Sequence, residues 1–235
     1  MRYDCLGSVL ERLAVGSQGT IPAVISLHEN IRRTFSELND DVNRLSYKLI
    51  YELEIKRGDV IAIMTANCYK FIILQYACAR IGAIICPINA FYKSKEVEFS
   101  LNKVKPAILF IPGESSQQEK CINQFSTIIN ECSATFPSSL KYIVYIDGTL
   151  NITIQNNNKS NPDKTINGKH LTPSRLLNEK CSVKVYLFDD LIEPDLDENG
   201  KIINRKIESN IESDETAALF FTSVSCFTCV SVGYS

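Results

Sequence analysis

Histidine is scarce in this 235-residue sequence, where only His28 and His170 occur. Cys226 and Cys229 form one C-x-x-C pair, and no second pair is present that could complete a zinc site. Because structural zinc takes four ligands, usually Cys or His, we expect no metal site. We expect no nucleic-acid partner either, since the net charge is −2 and gives no positive footprint for phosphates.

Uninterrupted apolar runs of membrane-spanning length are also missing. Residues 71–88 come nearest, but Gln75 and Arg80 interrupt them and Gly82 is typical of a helix end, which favours a helix followed by a strand. The first twenty residues lack the apolar segment and cleavage site of a secretory signal. We therefore expect a soluble intracellular protein without a transmembrane segment, cytoplasmic or mitochondrial.

The nine cysteines show no spacing that indicates a disulfide framework, so reduced thiols are expected. Several lie inside apolar patterns, where free cysteine behaves as a small hydrophobe. The composition, with 45% hydrophobic and 22% charged residues, is that of an ordinary globular protein.

Apolar spacing predicts a short first helix from Leu6 to Leu13 and two strands around Glu29 and Asn30. Thr34 and Glu37 have the spacing of a capping box, which predicts a helix over residues 35–53.

After that helix, short apolar segments alternate with helical patterns. The pattern predicts strands at VIAIM, AIICPIN, AILFIP, YIVYI, VKVYLFDDLI and TAALFFTS, and helices at residues 69–81, at a segment capped by Ser94, and at residues 118–132. Such alternation is typical of an α/β fold with a mostly parallel sheet flanked by helices. Residues 147–182 are polar and rich in Asn, which predicts a loop or insertion, and the charges from Asp189 to Asp197 are interpreted as a solvated loop.

Four segments follow one another along the sequence: RTFSEL, KRGDVIAIM, YACARIGAIICPINAFYKSKEVEFSLNKVKPAILFIP and DETAALFFTS. Together they resemble the N-terminal part of the AMP-forming acyl-CoA synthetases, the adenylate-forming family. The segments VISLHENIRRTFSEL and CPINAFYKSKEVEFSLNKVKPAILF resemble its medium-chain fatty acid ligase branch most. The resemblance covers most of residues 21–223 and implies an incomplete N-terminal subdomain of an AMP-binding synthetase domain over residues 1–223.

The resemblance implies a two-step reaction with a fatty acid. The carboxylate attacks the α-phosphate of ATP and releases pyrophosphate, and the thiol of coenzyme A then captures the acyl adenylate; magnesium assists in the family. The family's loop after the last of these strands is rich in Gly, Ser and Thr and closes with Pro-Lys-Gly around the phosphates. Thr222 and Ser223 match the start of that loop and are the candidate ATP-binding residues.

The match to the phosphate loop stops after Ser223. Val224 and Phe227 stand at glycine positions, Cys229 at the proline and Val230 at the lysine. Val224 in particular tolerates positive φ poorly. Residues 224–235 are therefore interpreted as an aberrant tail, and the family's later magnesium, ribose and catalytic lysine elements have no counterpart. We expect no catalytic residue, no bound cofactor and no activity of this chain alone.

Two alternatives come from other functional classes. Cys226 and Cys229 could form a redox dithiol, but that chemistry requires a helix after the first cysteine, which this sequence does not favour. The chain could instead be a non-catalytic or regulatory short form that associates with a full-length synthetase. Its uncovered sheet edges predict poor solubility in isolation.

Overall fold

The computed structural model describes residues 6–112, 131, 135–146, 183–193, 211, 215–221 and 229–233. The predicted helix over residues 118–132 lies almost wholly outside this part of the chain, and the polar segment 147–182 lies outside it entirely. The N-terminal elements are α1 (Leu6–Val15), β1 (Pro22–Ser26), β2 (Ile31–Thr34) and α2 (Phe35–Tyr51). The remaining elements are β3 (Val60–Ile63), α3 (Tyr69–Ile81), β4 (Ile84–Pro87), α4 (Ser94–Val104), β5 (Ile108–Ile111), β6 (Tyr142–Tyr145), β7 (Lys184–Leu187), α5 (Phe188–Ile192), β8 (Thr216–Phe221) and β9 (Cys229–Gly233).

The large sheet has seven strands in the order β7-β6-β5-β3-β4-β8-β9. Strands β3 to β8 run parallel to their neighbours, and β9 pairs antiparallel with β8. This confirms the α/β class and the mostly parallel sheet. A separate antiparallel hairpin joins β1 to β2.

The chain reverses its direction across the sheet at β3. From β3 it moves to β4 on one side, and from β4 it crosses back to β5 on the other side of β3. Parallel crossovers are right-handed, so the two opposite movements place α3 and α4 on opposite faces of the sheet. The described residues therefore form two hydrophobic clusters, one containing α1, α2 and α3 and the other containing α4.

Burial on both faces explains why the strands are apolar throughout. All four residues of β5 are buried, as are the last three of β3. Strands covered on both faces do not alternate with polar residues.

Helix α2 begins as the capping box predicts. The backbone N–H of Glu37 donates to Thr34 Oγ1 at 3.3 Å, and the N–H of Thr34 donates to Glu37 Oε2 at 2.8 Å. Helix α3 ends at Gly82, which has a φ of 70°. A Cβ at Gly82 would lie 2.9 Å from Arg57 Cγ, so both conformation and space favour glycine there.

Three local predictions are corrected. Ser94 is the first residue of α4 and not its cap, because Lys93 holds the extended cap conformation and its N–H donates to Glu96 Oε2 at 2.9 Å. The strand predicted over VKVYLFDDLI ends at Leu187, and the rest of that segment is helix α5. The interpretation of Asp189 to Asp197 as a loop is therefore wrong at its start, since α5 includes Asp189 and Asp190.

Candidate functional site

The parallel strands end together at one edge of the sheet, which we call the carboxyl edge. Ligands of open parallel sheets bind outside this edge, next to the place where the chain reverses its direction. Here that place lies between β3 and β5, and the N–H of Met64 donates to the carbonyl of Phe110 at 2.9 Å across it. A ligand is therefore expected at the carboxyl edge.

An ordered turn follows β4 at this edge. The N–H of Ile88 donates to the carbonyl of Ile63 at 2.8 Å, and Asn89 Oδ1 accepts the N–H of Phe91 at 2.9 Å. Phe91 is 78% exposed although it is a large apolar residue. Strand β8 lies beside β4, so its last residue, Phe221, lies next to this turn.

The predicted site residues Thr222 and Ser223 directly follow β8, within residues 222–228 that the structure does not describe. The strands on either side are described, and Phe221 is paired with Cys229 in the antiparallel register of β8 and β9. The described ends of β8 and β9 therefore lie together at the carboxyl edge. No strand was predicted at the position of β9.

The N-terminus of α3 also points toward the carboxyl edge, but an internal anion already occupies it. The N–H of Tyr69 donates to both carboxylate oxygens of Glu29, at 3.1 and 3.0 Å. Helix N-termini attract anions, and here the carboxylate comes from the turn between β1 and β2. This helix end does not offer a phosphate site.

Lys70, near the start of α3, is likewise engaged within the chain. Its Nζ donates to the carbonyl of Ile146 at 2.7 Å and pairs with Asp189 Oδ1 at 2.7 Å. It also lies 5.4 Å from the ring centroid of Phe188. Lys70 was not among the predicted site residues, because its partners follow β6 and β7, far along the chain.

Comparison with known proteins assigns the family. A family model described as AMP-binding enzyme matches residues 11–225. The chain belongs to the AMP-binding enzyme family.

Curated relatives of this AMP-binding chain include acyl-CoA ligases. The medium-chain acyl-CoA ligase ACSF2, mitochondrial, of Danio rerio is 29% identical over 138 residues, which are 59% of this chain and 22% of the relative. The crotonobetaine/carnitine–CoA ligase of Escherichia coli O1:K1 / APEC is 31% identical over 119 residues, 51% of this chain and 21% of the relative. The matched segment thus spans about one fifth of the length of these relatives.

Solved structures of the family share the fold. Coronafacic acid ligase from Pectobacterium brasiliense has a TM-score of 0.66 at 20% identity and is matched over 98% of this chain and 35% of its own. The N-terminal domain of FACL13 from Mycobacterium tuberculosis has a TM-score of 0.63 at 16% identity and is matched over 100% of this chain and 44% of its own.

A buried hydrogen bond supports the start of α3 in this AMP-binding fold. Tyr69 Oη donates to Asp41 Oδ2 of α2 at 2.6 Å, and Asp41 also pairs with Arg44. Burial and the neighbouring Asp41 together raise the pKa of the Tyr69 phenol far above its ordinary value. Tyr69 thus stays protonated and holds α3 against α2.

Among the described residues no group of three or more His, Cys, Asp or Glu could hold a metal ion. Magnesium in proteins keeps several waters and takes only one or two carboxylates together with substrate phosphates, so no described residue is assigned to it.

The cysteines give no sign of a redox site where the structure describes them. Burial raises the pKa of the Cys78 thiol, which lies in the core. Cys229 begins a strand, so the residues that follow it are not the helix that a redox dithiol requires.

In the described ranges, no helix is long and apolar enough to cross a membrane.

Proposed function

We propose that this chain is the N-terminal part of an AMP-forming acyl-CoA ligase that activates a medium-chain fatty acid. In the full reaction the carboxylate attacks the α-phosphorus of ATP, pyrophosphate leaves, and the thiol of coenzyme A displaces AMP. The family match and the names of the relatives support this reaction. Residues 1–223 would form the family-like part, with 147–182 as an insertion.

The observation that supports a phosphate site is the place where β8 ends. Phe221, which Thr222 follows in the sequence, is paired with Cys229 at the carboxyl edge, whereas the N-terminus of α3 and Lys70 are already engaged by Glu29 and Asp189. We therefore assign phosphate binding to the segment that Thr222 and Ser223 begin.

We further propose that these 235 residues alone form no acyl adenylate. A phosphate loop needs backbone amides that converge on the phosphate oxygens and a lysine that adds positive charge. Val224, Phe227 and Val230 supply neither glycine flexibility nor charge at the positions that require them. The chain would therefore bind no ATP, magnesium or coenzyme A by itself.

A chimera tests whether the fold of this chain supports the reaction when the altered loop is replaced by an intact phosphate loop. Residues 21–221 of this chain would replace the equivalent segment of the Danio rerio ligase, which then continues with its own phosphate loop. We expect formation of acyl-CoA from a medium-chain fatty acid. A folded chimera that makes no acyl adenylate would contradict the proposed function.

The matched control extends the same chimera through Val230, so that it carries this chain's own residues 222–230. Loss of even one positioned donor to a transition-state charge costs roughly 100-fold to 1,000-fold in rate, so we expect at least that loss. Pyrophosphate exchange by the unmodified 235-residue chain, stimulated by fatty acid, would show that the loop is functional as it stands.

Strand β9 favours a second candidate, association with a full-length synthetase. It is the outermost strand of the sheet, and its outer edge is unpaired among the described residues. Unpaired edges accept strands from other chains. If the chain co-purifies with a full-length ligase and deletion of residues 229–233 abolishes this, the result would support the regulatory form. Co-purification that is unchanged by the deletion would exclude the edge of β9 as the binding site. The name of the ACSF2 relative places that protein in mitochondria, so we propose an intracellular location for this chain, cytoplasmic or mitochondrial, which fractionation would test.

A further inference from the structure

An ion pair joins the start of β8 to the turn before β3. Glu215 directly precedes β8, and Arg57 lies between α2 and β3. Arg57 Nε donates to Glu215 Oε2 at 2.5 Å, and a second N–H of the guanidinium donates to the other oxygen of the same carboxylate. The contact is therefore bidentate, which gives it a defined direction as well as charge. It lies where the parallel strands begin, which we call the amino edge of the sheet.

Arg57 belongs to a turn that is fixed to the start of β4. The N–H of Gly58 donates to the carbonyl of Gly82 at 2.8 Å, and the N–H of Ile84 donates to the carbonyl of Asp59 at 2.8 Å. The side chain of Arg57 lies against Gly82, since a Cβ on that glycine would be 2.9 Å from Arg57 Cγ. The guanidinium is therefore held by a well-bonded part of the sheet.

Strand pairing alone fixes β8 weakly. Strands β3 and β4 are in register from Val60 to Ile63, whereas Ile85 with Ala218 is the one registered pair between β4 and β8 in the described ranges. On its other side, β8 shifts its register against β9 between Thr216 and Ala218. An irregularity of this kind locally disrupts the ladder of hydrogen bonds. A contact outside the ladder can therefore decide where β8 lies.

An ordinary surface ion pair is the simpler explanation of this contact. Arg33 with Glu37 is such a pair, since it has a single contact at 3.5 Å and side chains that are 45% and 48% exposed. Pairs of that kind contribute little to stability. Glu215 is only 20% exposed, its contact is bidentate, and its partner Arg57 lies on a distant part of the chain. Bidentate geometry is the case in which a pair near the surface does contribute.

We propose that Arg57 is a positioning residue, which through Glu215 holds β8 in place beside β4 and so sets where Phe221 lies at the carboxyl edge. Strand β8 has six residues, so roughly 20 Å separate its two ends. Local opening of a protein involves cooperative units, and a strand held at one end moves at the other when that hold is lost. The consequence for phosphate binding rests on the proposed function, because Thr222 follows Phe221, but the placement of β8 does not.

Hydrogen exchange of the 235-residue chain, followed by mass spectrometry on overlapping peptides of β8, tests this placement. Arg57→Met removes the charge and keeps an apolar side chain against Gly82. We expect exchange to become roughly fivefold faster across β8, including its far end from Leu219 to Phe221. Arg57→Lys, which keeps the charge but not the bidentate contact, should show a smaller rise.

Two comparisons separate the ion pair from a general loss of stability. Glu215→Gln should give the same rise as Arg57→Met, and the double variant no larger rise, because all three remove one shared contact. Exchange in α3 should stay as in the wild type in every variant, which shows that the rest of the chain is folded. Faster exchange limited to Thr216 and its neighbour, or no change anywhere in β8, would overturn the proposal.

Arg33→Met is the matched control, since it makes the same substitution at an ion-paired arginine of similar exposure. It should leave exchange in β8 unchanged, and an equal rise with this control would count against a specific role of Arg57.

The chimera described above carries both Arg57 and Glu215 and tests the consequence for the reaction. A displacement of about 1 Å at the reacting groups can cost roughly 100-fold in rate, so Arg57→Met should slow acyl adenylate formation by the chimera at least about tenfold. Arg57→Lys should restore part of the rate, and Arg33→Met should leave it unchanged. An unaltered rate with Arg57→Met would overturn the positioning role. An inactive parent chimera would instead contradict the proposed function, and exchange in the 235-residue chain would still decide the placement of β8.

Discussion

Replacement of Arg80 by Met should destabilise the fold strongly, because this arginine joins three helices from inside the core. It is 1% exposed. Its guanidinium donates to Asn43 Oδ1 at 2.7 Å, to Asn39 Oδ1 at 2.9 Å and to the carbonyl of Gly7 at 3.2 Å. These acceptors belong to α1 and α2, while Arg80 belongs to α3.

The expected magnitude follows from the groups left behind. Each buried acceptor that loses its donor costs about 1–3 kcal/mol, which gives about 2–6 kcal/mol for the buried acceptors of Asn39 and Gly7 and less for Asn43, which is half-buried. Removal of a buried charge from a low-dielectric site returns several kcal/mol of desolvation free energy. The free energy of unfolding should therefore fall by about 3 kcal/mol.

Urea unfolding monitored by far-ultraviolet circular dichroism measures this change, provided that the slope with denaturant is the same for both proteins. Arg32→Met is the control, since Arg32 is exposed, and should change the free energy of unfolding by less than about 0.5 kcal/mol. A value for Arg80→Met as small as that of the control would refute the reasoning that this network joins the helices.

Further predictions concern the cap, the buried phenol and one glycine. Thr34→Ala should cost about 1 kcal/mol. The backbone N–H of residue 34, which contributes most to lowering the pKa of Glu37, survives this change, so the wild type and the variant should both lose stability as the pH falls below about 4, as acid titration of both proteins would show. Tyr69→Phe should lower the free energy of unfolding by about 1–2 kcal/mol through the lost bond to Asp41. Because the pKa of Tyr69 is raised in the folded state, the wild type should lose stability as the pH rises above about 10. The Tyr69→Phe variant should lose less stability over that range, as unfolding at alkaline pH would reveal. Gly82→Ala should cost about 1–2 kcal/mol from its positive φ alone, and a neutral effect in thermal melts would contradict that conformation.

Local patterns in the sequence were enough to predict elements whose causes are local. Helix α3 has the predicted bounds, because its apolar spacing is clear and Gly82 ends it. The capping box of α2 needed only Thr34 and Glu37. The cap of α4 was misplaced by one residue, because Glu96 bonds the backbone of Lys93 and the side chain of Ser94 contacts Glu131 instead.

Contacts between residues far apart in the sequence could not be predicted from local patterns. Nothing near Lys70 indicates that its ammonium group meets Ile146 and Asp189, since β6 and β7 bring these residues together. Helix α5 has five residues, too few for a helical period to show. Strand β9 forms by pairing with β8 across the sheet, so its structure comes from its neighbour more than from its own sequence.

The place of β8 in the sheet has a consequence for synthesis on the ribosome. Strand β4 ends at Pro87, and the neighbour that covers its free side begins at Thr216, about 130 residues later. At roughly 5–20 residues per second, translation leaves that side of β4 bare for about 6–26 seconds. During this interval the nascent chain presents an apolar strand to its surroundings, which makes it a natural client for chaperones.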